Sequence, residues 1–250
     1  SIINDYDDGK YGTYLIHGVT GSGKTEVYMD VIEHVISMNR QVVMLIPEIA
    51  LTFIIVGAVF DFFDGMSARL LKVSSPIGKE LDSLADDVTF GVAPASMVFN
   101  LLMVTEYPSF MEFTRPVLPF FAFVIAAFSA LRLAKFNLDE RQSTSFIGLP
   151  TPANALFWGS LIAGCQNFIE STPSIFYFIL LMIVISSYLL IAELPMFALK
   201  FKTWGWKGNE IKYIFLTTCI PMLFILRLSS FAAIIAWYVI LSVINNKCKK

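Results

Sequence analysis

The chain has 250 residues and a net charge of −2; it is 56% hydrophobic, only 15% charged, and has a mean hydropathy of +0.68. A soluble domain is roughly a quarter charged, so an ordinary soluble fold is excluded in favour of the membrane class, and the lack of a basic excess argues against a nucleic-acid partner. Cys165, Cys219 and Cys248 are far apart, with no CxxC and no zinc spacing, and read as inert thiols.

Residues 1–52 read as soluble sequence and everything after about Thr52 as helical spans. The front segment carries "YLIHGVTGSGKTEVYMDVIEHV", with the spacing G-x4-G-K-T at Gly18, Gly23, Lys24 and Thr25 and a further Gly21 between them. A strand-like "TYLIHG" precedes the glycines and a helical pattern follows. That is the setting of a P-loop, whose backbone N–H groups cradle phosphates while Lys and Thr serve the phosphates and Mg²⁺. Residues 11–52 resemble the start of the motor of the primosomal replication-restart helicases. The resemblance stops abruptly, with no acidic Walker B strand and no second motor lobe. One βαβ piece cannot bury its sheet or complete a nucleotide site, so the expectation is a truncated α/β fragment with a vestigial P-loop.

Apolar runs of membrane-spanning length are expected at about 50–70, 81–105, 116–136, 153–169, 175–196, 212–228 and 229–245. Basic residues fall in alternate loops and in the tail: Arg69, Lys72, Lys79, Arg132, Lys135, Arg141, Lys200, Lys202, Lys207, Lys212, Lys247, Lys249 and Lys250. The opposite side has only Arg115 and Arg227. The positive-inside rule puts the first group, and the C-terminus, in the cytoplasm.

Between the first two runs lies "DFFDGMSARLLKVSSPIGKELDSLADD", Asp61 to Asp87. Asp61 and Asp64 are i, i+3 and Asp82 and Asp86 are i, i+4, so each pair shares one helix face. A helical hairpin is expected to gather the four carboxylates at the cytoplasmic end of two spans. Charged groups at bilayer depth are costly and mark function. Neighbouring anions repel strongly in a poorly polarisable medium, and a hard divalent cation, Mg²⁺ or Mn²⁺, resolves the repulsion. Gly65 and Ala68 leave room for a ligand near the backbone, and Arg69 suits a phosphate. No histidine occurs after residue 52, so a histidine base is excluded from the membrane part.

The pattern D-x2-D-G-x2-A-R-x8-G-x3-D-x3-D is complete as Asp61, Asp64, Gly65, Ala68, Arg69, Gly78, Asp82 and Asp86. It resembles the signature of the CDP-alcohol phosphatidyltransferase family. The resemblance implies an all-α polytopic membrane fold and transfer of a phosphatidyl group from CDP-diacylglycerol to an alcohol, releasing CMP. It implies metal and cytidine-diphosphate binding by Asp61, Asp64 and Asp82, and a general base, also close to the metal, at Asp86. Gly65, Ala68, Arg69 and Gly78 then line the nucleotide site.

"ALRLAKFN" (Ala130–Asn137) and "FIGLPTPA" (Phe146–Ala153) are similar to the phosphatidylserine synthase branch, which implies L-serine as acceptor. Arg132, Lys135 and Arg141 are candidates to hold its carboxylate or a lipid phosphate, and plain positive-inside topology is their other reading. Glycerol phosphate and inositol phosphate are the rival acceptors. The family further suggests a homodimer in the bacterial inner membrane with the site facing the cytoplasm.

Family members carry an amphipathic stretch and a first span before the motif helix, and here the helicase-like piece stands in their place. The expectation is a seven-span fold lacking the family's first span, joined at about residue 52 to an unrelated fragment by artificial or mistaken fusion. The rival reading is a nucleotide-binding helicase fragment on an inactive membrane anchor.

Overall fold

The structure is a computed structural model that describes residues 2–9, 24–40, 47–71, 75–138, 146–170, 175–197, 199, 201, 205–206 and 208–248. It divides into two compact units, Ser1–Met44 and Leu45–Lys250. The first holds α1 (Ile2–Asp7) and α2 (Lys24–Ser37). Val35 is its one buried apolar side chain among the described residues, and its side-chain hydrogen bonds are exposed. His34 Nε2 lies 2.8 Å from Asp7 Oδ1, and the Arg40 guanidinium donates to the Tyr6 hydroxyl at 2.9 Å. Such surface pairs contribute little stability. The helix expected after the glycine-rich stretch is α2. The strand expected before it, and Gly18, Gly21 and Gly23, lie outside the described residues.

The second unit is helical. In chain order it comprises α3 (Pro47–Leu71), α4 (Pro76–Asp87), a π-helical turn (Val88–Val92), α5 (Ala93–Val104) and α6 (Val124–Leu138). Then come α7 (Thr151–Glu170), α8 (Ile175–Ile191), α9 (Glu210–Leu226) and α10 (Ser230–Cys248). Two 3-10 turns, Ser109–Thr114 and Leu118–Phe123, connect α5 to α6 around Pro108 and Pro119. Residues 47–52, read from sequence as part of the front segment, form the first turns of α3.

The expected apolar runs fall largely on helix, but the run at 116–136 opens in turn and 3-10 structure, and the run at 175–196 leaves helix after Ile191 and ends in a short strand. Among the described residues, four stretches are long and apolar enough to cross a membrane: Ala50–Ser67, Pro76–Val104, Leu118–Leu138 and Glu210–Lys247. Ile175–Ile191 is a shorter apolar helix. The outer surface bears large apolar side chains in quantities that water does not favour, among them Phe60, Phe62, Phe63, Phe224 and Ile225. This is the surface of an integral membrane protein.

The core lies where α3, α5, α6, α7 and α8 meet, around Ile54, Val98, Leu102, Ile125, Trp158 and Ile183. Small residues set the helix separations. A Cβ on Gly159 would stand 3.0 Å from Leu51 Cδ1, and one on Gly164 would overlap Ser229. Small residues at such contacts let backbones approach in lipid, where no hydrophobic effect drives helices together. The α7–α10 seam is also tied by polar groups. Ser160 Oγ donates to the Leu228 carbonyl and accepts from the Ala232 N–H at 3.1 Å. Trp158 Nε1 donates to Ser186 Oγ at 3.1 Å, joining α7 to α8.

A short antiparallel pair, Phe146–Ile147 with Pro195–Met196, fastens the entry of α7 to the exit of α8. Gly148 beside it has φ +77°, and a Cβ there would meet the Leu190 carbonyl at 2.8 Å. Glycine is therefore required at that turn.

Candidate active site

The site is built on the α3–α4 hairpin. The second apolar run was expected to begin near residue 81, but its helix starts at Pro76. Ser75 is the N-cap: its Oγ accepts from the Gly78 N–H at 3.0 Å, and Pro76 occupies the first helical position. That position tolerates proline because its N–H has no partner within the helix. Gly78, implied by the family pattern as part of the nucleotide site, thus also serves the cap. A Cβ there would lie 2.9 Å from Ser75 Oγ.

The early start places Asp82 and Asp86 on the second and third turns of α4, facing α3. Asp61, Asp82 and Asp86 come together, with one carboxylate oxygen from each within 4.8 Å of the others. Asp61 and Asp86 are half-buried and Asp82 is exposed. Asp64, one turn on from Asp61, is exposed and stands outside this group. The approach of the two helices has a visible cause. Gly57 lies one turn before Asp61 on the same face, and a Cβ on it would fall 2.6 Å from Thr89 Cγ2. Thr89 lies three residues after Asp86, in the π-helical turn. Only a residue without a side chain lets α3 come this close to the segment that carries Asp86.

The other face of α4 is fixed by α6. Asn137 Nδ2 donates to Ser83 Oγ at 2.8 Å, and Lys79 Nζ donates to the Asn137 carbonyl at 3.1 Å. Ser83 neighbours Asp82, so this latch sets the rotation of the helix that carries two of the three carboxylates. Gly57, Ser75, Asn137 and the π-helical turn were not singled out from sequence. Ser75-Pro76 was a readable cap signal; the other contacts join residues far apart in the chain.

The remaining expected residues divide clearly. Gly65 is exposed on α3, one turn beyond Asp61. Ala68 and Arg69 lie in the last turn of α3, and their side chains are outside the described set. Arg132 is buried on α6 with its guanidinium 5.3 Å from the Phe136 ring centroid, whereas Lys135 is exposed. Arg141 lies outside the described residues. Lys24 and Thr25 begin α2, in the other compact unit.

Three carboxylate oxygens this close repel one another, and all are hard oxygen donors of the kind that Mg²⁺ and Mn²⁺ prefer. The residues present therefore fit a divalent cation.

The sequence profile of the CDP-alcohol phosphatidyltransferase family matches residues 35–184, and the chain belongs to that family. A Bacillus subtilis protein named CDP-diacylglycerol–serine O-phosphatidyltransferase is 41% identical over 107 residues, covering 41% of this chain and 54% of that protein. A Mycobacterium tuberculosis protein of the same name is 32% identical over 157 residues, covering 60% of this chain and 52% of that one. A third, from Helicobacter pylori, is 30% identical over 197 residues and covers 77% of each chain. The chain spans about half the length of the Bacillus and Mycobacterium relatives.

Proposed function

We propose that the chain transfers the phosphatidyl group of CDP-diacylglycerol to the hydroxyl of L-serine, giving phosphatidylserine and CMP. The observation that carries this reading is the convergence of Asp61, Asp82 and Asp86 in a chain of this family. The names of the relatives support serine over glycerol phosphate or inositol phosphate.

Asp61, Asp82 and Asp86, with Asp64 one turn away, would hold Mg²⁺ or Mn²⁺. When bound, the cation offsets the charge of the diphosphate and of the departing CMP. Gly65, Ala68, Arg69 and Gly78 border the cytidine diphosphate. The small residues leave room for it, and Arg69 offers a planar fork to phosphate oxygens. Asp86 accepts the proton of the serine hydroxyl as its oxygen forms a bond to the phosphatidyl phosphorus. The bond from that phosphorus to the CMP oxygen breaks, and CMP leaves. A serine hydroxyl is a weak nucleophile, and a positioned carboxylate base contributes about 10²–10⁴-fold. Arg132, Lys135 and Arg141 supply positive charge for the serine carboxylate or a lipid phosphate.

The same reading assigns seven spans to residues 53–250, a homodimer in the bacterial inner membrane, and a site facing the cytoplasm on the side of the basic loops. Residues 1–52 take no part in the chemistry and retain a vestigial P-loop at Gly18, Gly21, Gly23, Lys24 and Thr25. The test is an acceptor panel. Detergent-solubilised protein is given CDP-diacylglycerol and Mn²⁺ with serine, glycerol-3-phosphate or inositol phosphate in turn, and the lipid product is identified. Phosphatidylserine from serine alone supports the reading; a product from another acceptor in its place replaces it.

A further inference from the structure

The carboxylate group uses one face of the α4 end. The next residue, Asp87, points elsewhere, and the family pattern gives it no role. Its Oδ1 is buried and has no hydrogen-bond partner among the described residues. Ser129 on α6 is fully buried, and its Oγ likewise has no partner among them. The two meet at a notch left by Gly91 in the π-helical turn. A Cβ on Gly91 would lie 2.5 Å from Asp87 Oδ1 and 3.0 Å from Ser129 Cβ. Extra residues of π-helix recur at functional sites because they re-aim the side chains around them. Arg132, one helical turn beyond Ser129 on the same face of α6, is buried as well.

A half-buried carboxylate with one enclosed oxygen and a buried hydroxyl, both without partners, are expensive in a membrane domain; the carboxylate oxygen needs a donor and the hydroxyl oxygen can accept one. A primary ammonium is all donor, with three N–H groups on a compact charge. It can serve both oxygens at once. Serine carries its ammonium on the carbon next to the one that bears its hydroxyl. With the hydroxyl at Asp86, the next carboxylate along α4 is that of Asp87, on the adjoining face of the helix end. Arg132 lies further along the same α6 face, with the charge to take the carboxylate at the other end of a zwitterion. Glycerol phosphate and inositol phosphate have no ammonium and would leave Asp87 and Ser129 unanswered.

We infer that Asp87 and Ser129, across the Gly91 notch, form the ammonium subsite that selects an α-amino acid as acceptor. This rests on the serine reading above, and the experiment separates the two. CMP release is measured with wild type, Asp87→Asn, Ser129→Ala and Gly91→Ala, using serine, 3-hydroxypropionate (no ammonium) and ethanolamine (no carboxylate) with CDP-diacylglycerol and Mn²⁺. A charge-assisted hydrogen bond corresponds to about a ten- to hundredfold effect. Asp87→Asn is expected to raise the KM for serine by about that factor, leave the KM for CDP-diacylglycerol unchanged, and erase the preference for serine over 3-hydroxypropionate. The preference over ethanolamine should persist. Gly91→Ala should act in the same direction by filling the notch.

Equilibrium binding of radiolabelled serine, in the presence of CMP and Mn²⁺, reads the same subsite without turnover, and Asp87→Asn should abolish it. An unchanged serine KM and serine binding in Asp87→Asn overturns the inference while the synthase reading stands. Equal losses with serine and 3-hydroxypropionate also overturn it, because they mark a structural defect. Wild-type protein that transfers to glycerol-3-phosphate and neither uses nor binds serine overturns the synthase reading, and the subsite with it.

Discussion

The α7–α10 seam and the α4–α6 seam both bury polar groups inside the membrane unit, and they treat them in opposite ways. At the first, the hydroxyl that ties the helices together is answered from within the fold. Ser160 serves the Leu228 carbonyl and the Ala232 N–H, and at the neighbouring α7–α8 contact Trp158 reaches Ser186. At the second, Asp87 Oδ1 and Ser129 Oγ have no partner among the described residues, and three carboxylates converge nearby between α3 and α4. A hydrogen bond that fastens helices contributes about 1 kcal/mol, while a buried group without a partner costs about 1–3 kcal/mol. Asn154 on α7, Ser187 on α8 and the Tyr107 hydroxyl also bury unanswered polar atoms among the described residues, but only the α4 end adjoins a carboxylate cluster where a cation and a polar substrate would return the cost.

Chelation should break this contrast most sharply. Removing divalent cations with EDTA is expected to abolish CMP release, and Mn²⁺ or Mg²⁺ added back should restore it. The α7–α10 seam needs no ion, so near-native thermal stability should survive chelation. Full activity in EDTA would remove the cation from the account.

Gly57→Leu comes next. Overpacking costs about 1–3 kcal/mol, and here the strain acts on the spacing between Asp61 and Asp86. Turnover should fall by about tenfold or more, with a higher Mn²⁺ requirement read from an activity titration. A loss of stability without any change in Mn²⁺ requirement would show that the Gly57–Thr89 contact does not set the carboxylate group.

Ser160→Ala tests the other seam. It should lower unfolding stability by about 1 kcal/mol and leave the KM for both substrates unchanged. The smallest effect is expected in the first unit, where Lys24→Ala should leave lipid synthesis as it was. A large loss from that variant would give the P-loop residues a role in the chemistry.

Much of the site could be read from the sequence because helical periodicity is local. Asp61 with Asp64, and Asp82 with Asp86, share faces by spacing alone, and their apolar flanks announced the membrane. Periodicity did not say that Asp64 would stand outside the group, since that depends on the rotation of α3 against α4. Nor did it reveal the Gly57–Thr89 approach or the Asn137–Ser83 latch. The latch joins residues 54 apart, and no short-range pattern encodes it. The start of α4 was missed for a different reason. Residues 76–80 are polar enough to hide a helix from a hydropathy reading, although Ser75 and Pro76 were a usable cap signal. The π-helical turn packs against α6 between α4 and α5, and hydropathy gave no sign of it in the Val88–Val92 stretch.

The measurement that bears most directly on the central claim is a pair of assays on Asp86→Asn: metal-dependent CMP release with serine, and equilibrium binding of CDP-diacylglycerol. With Asp86 as the base at an open carboxylate site, release should fall by about 10²–10⁴-fold while most of the binding remains. Wild-type release from that variant, in protein shown to be folded, would contradict the account.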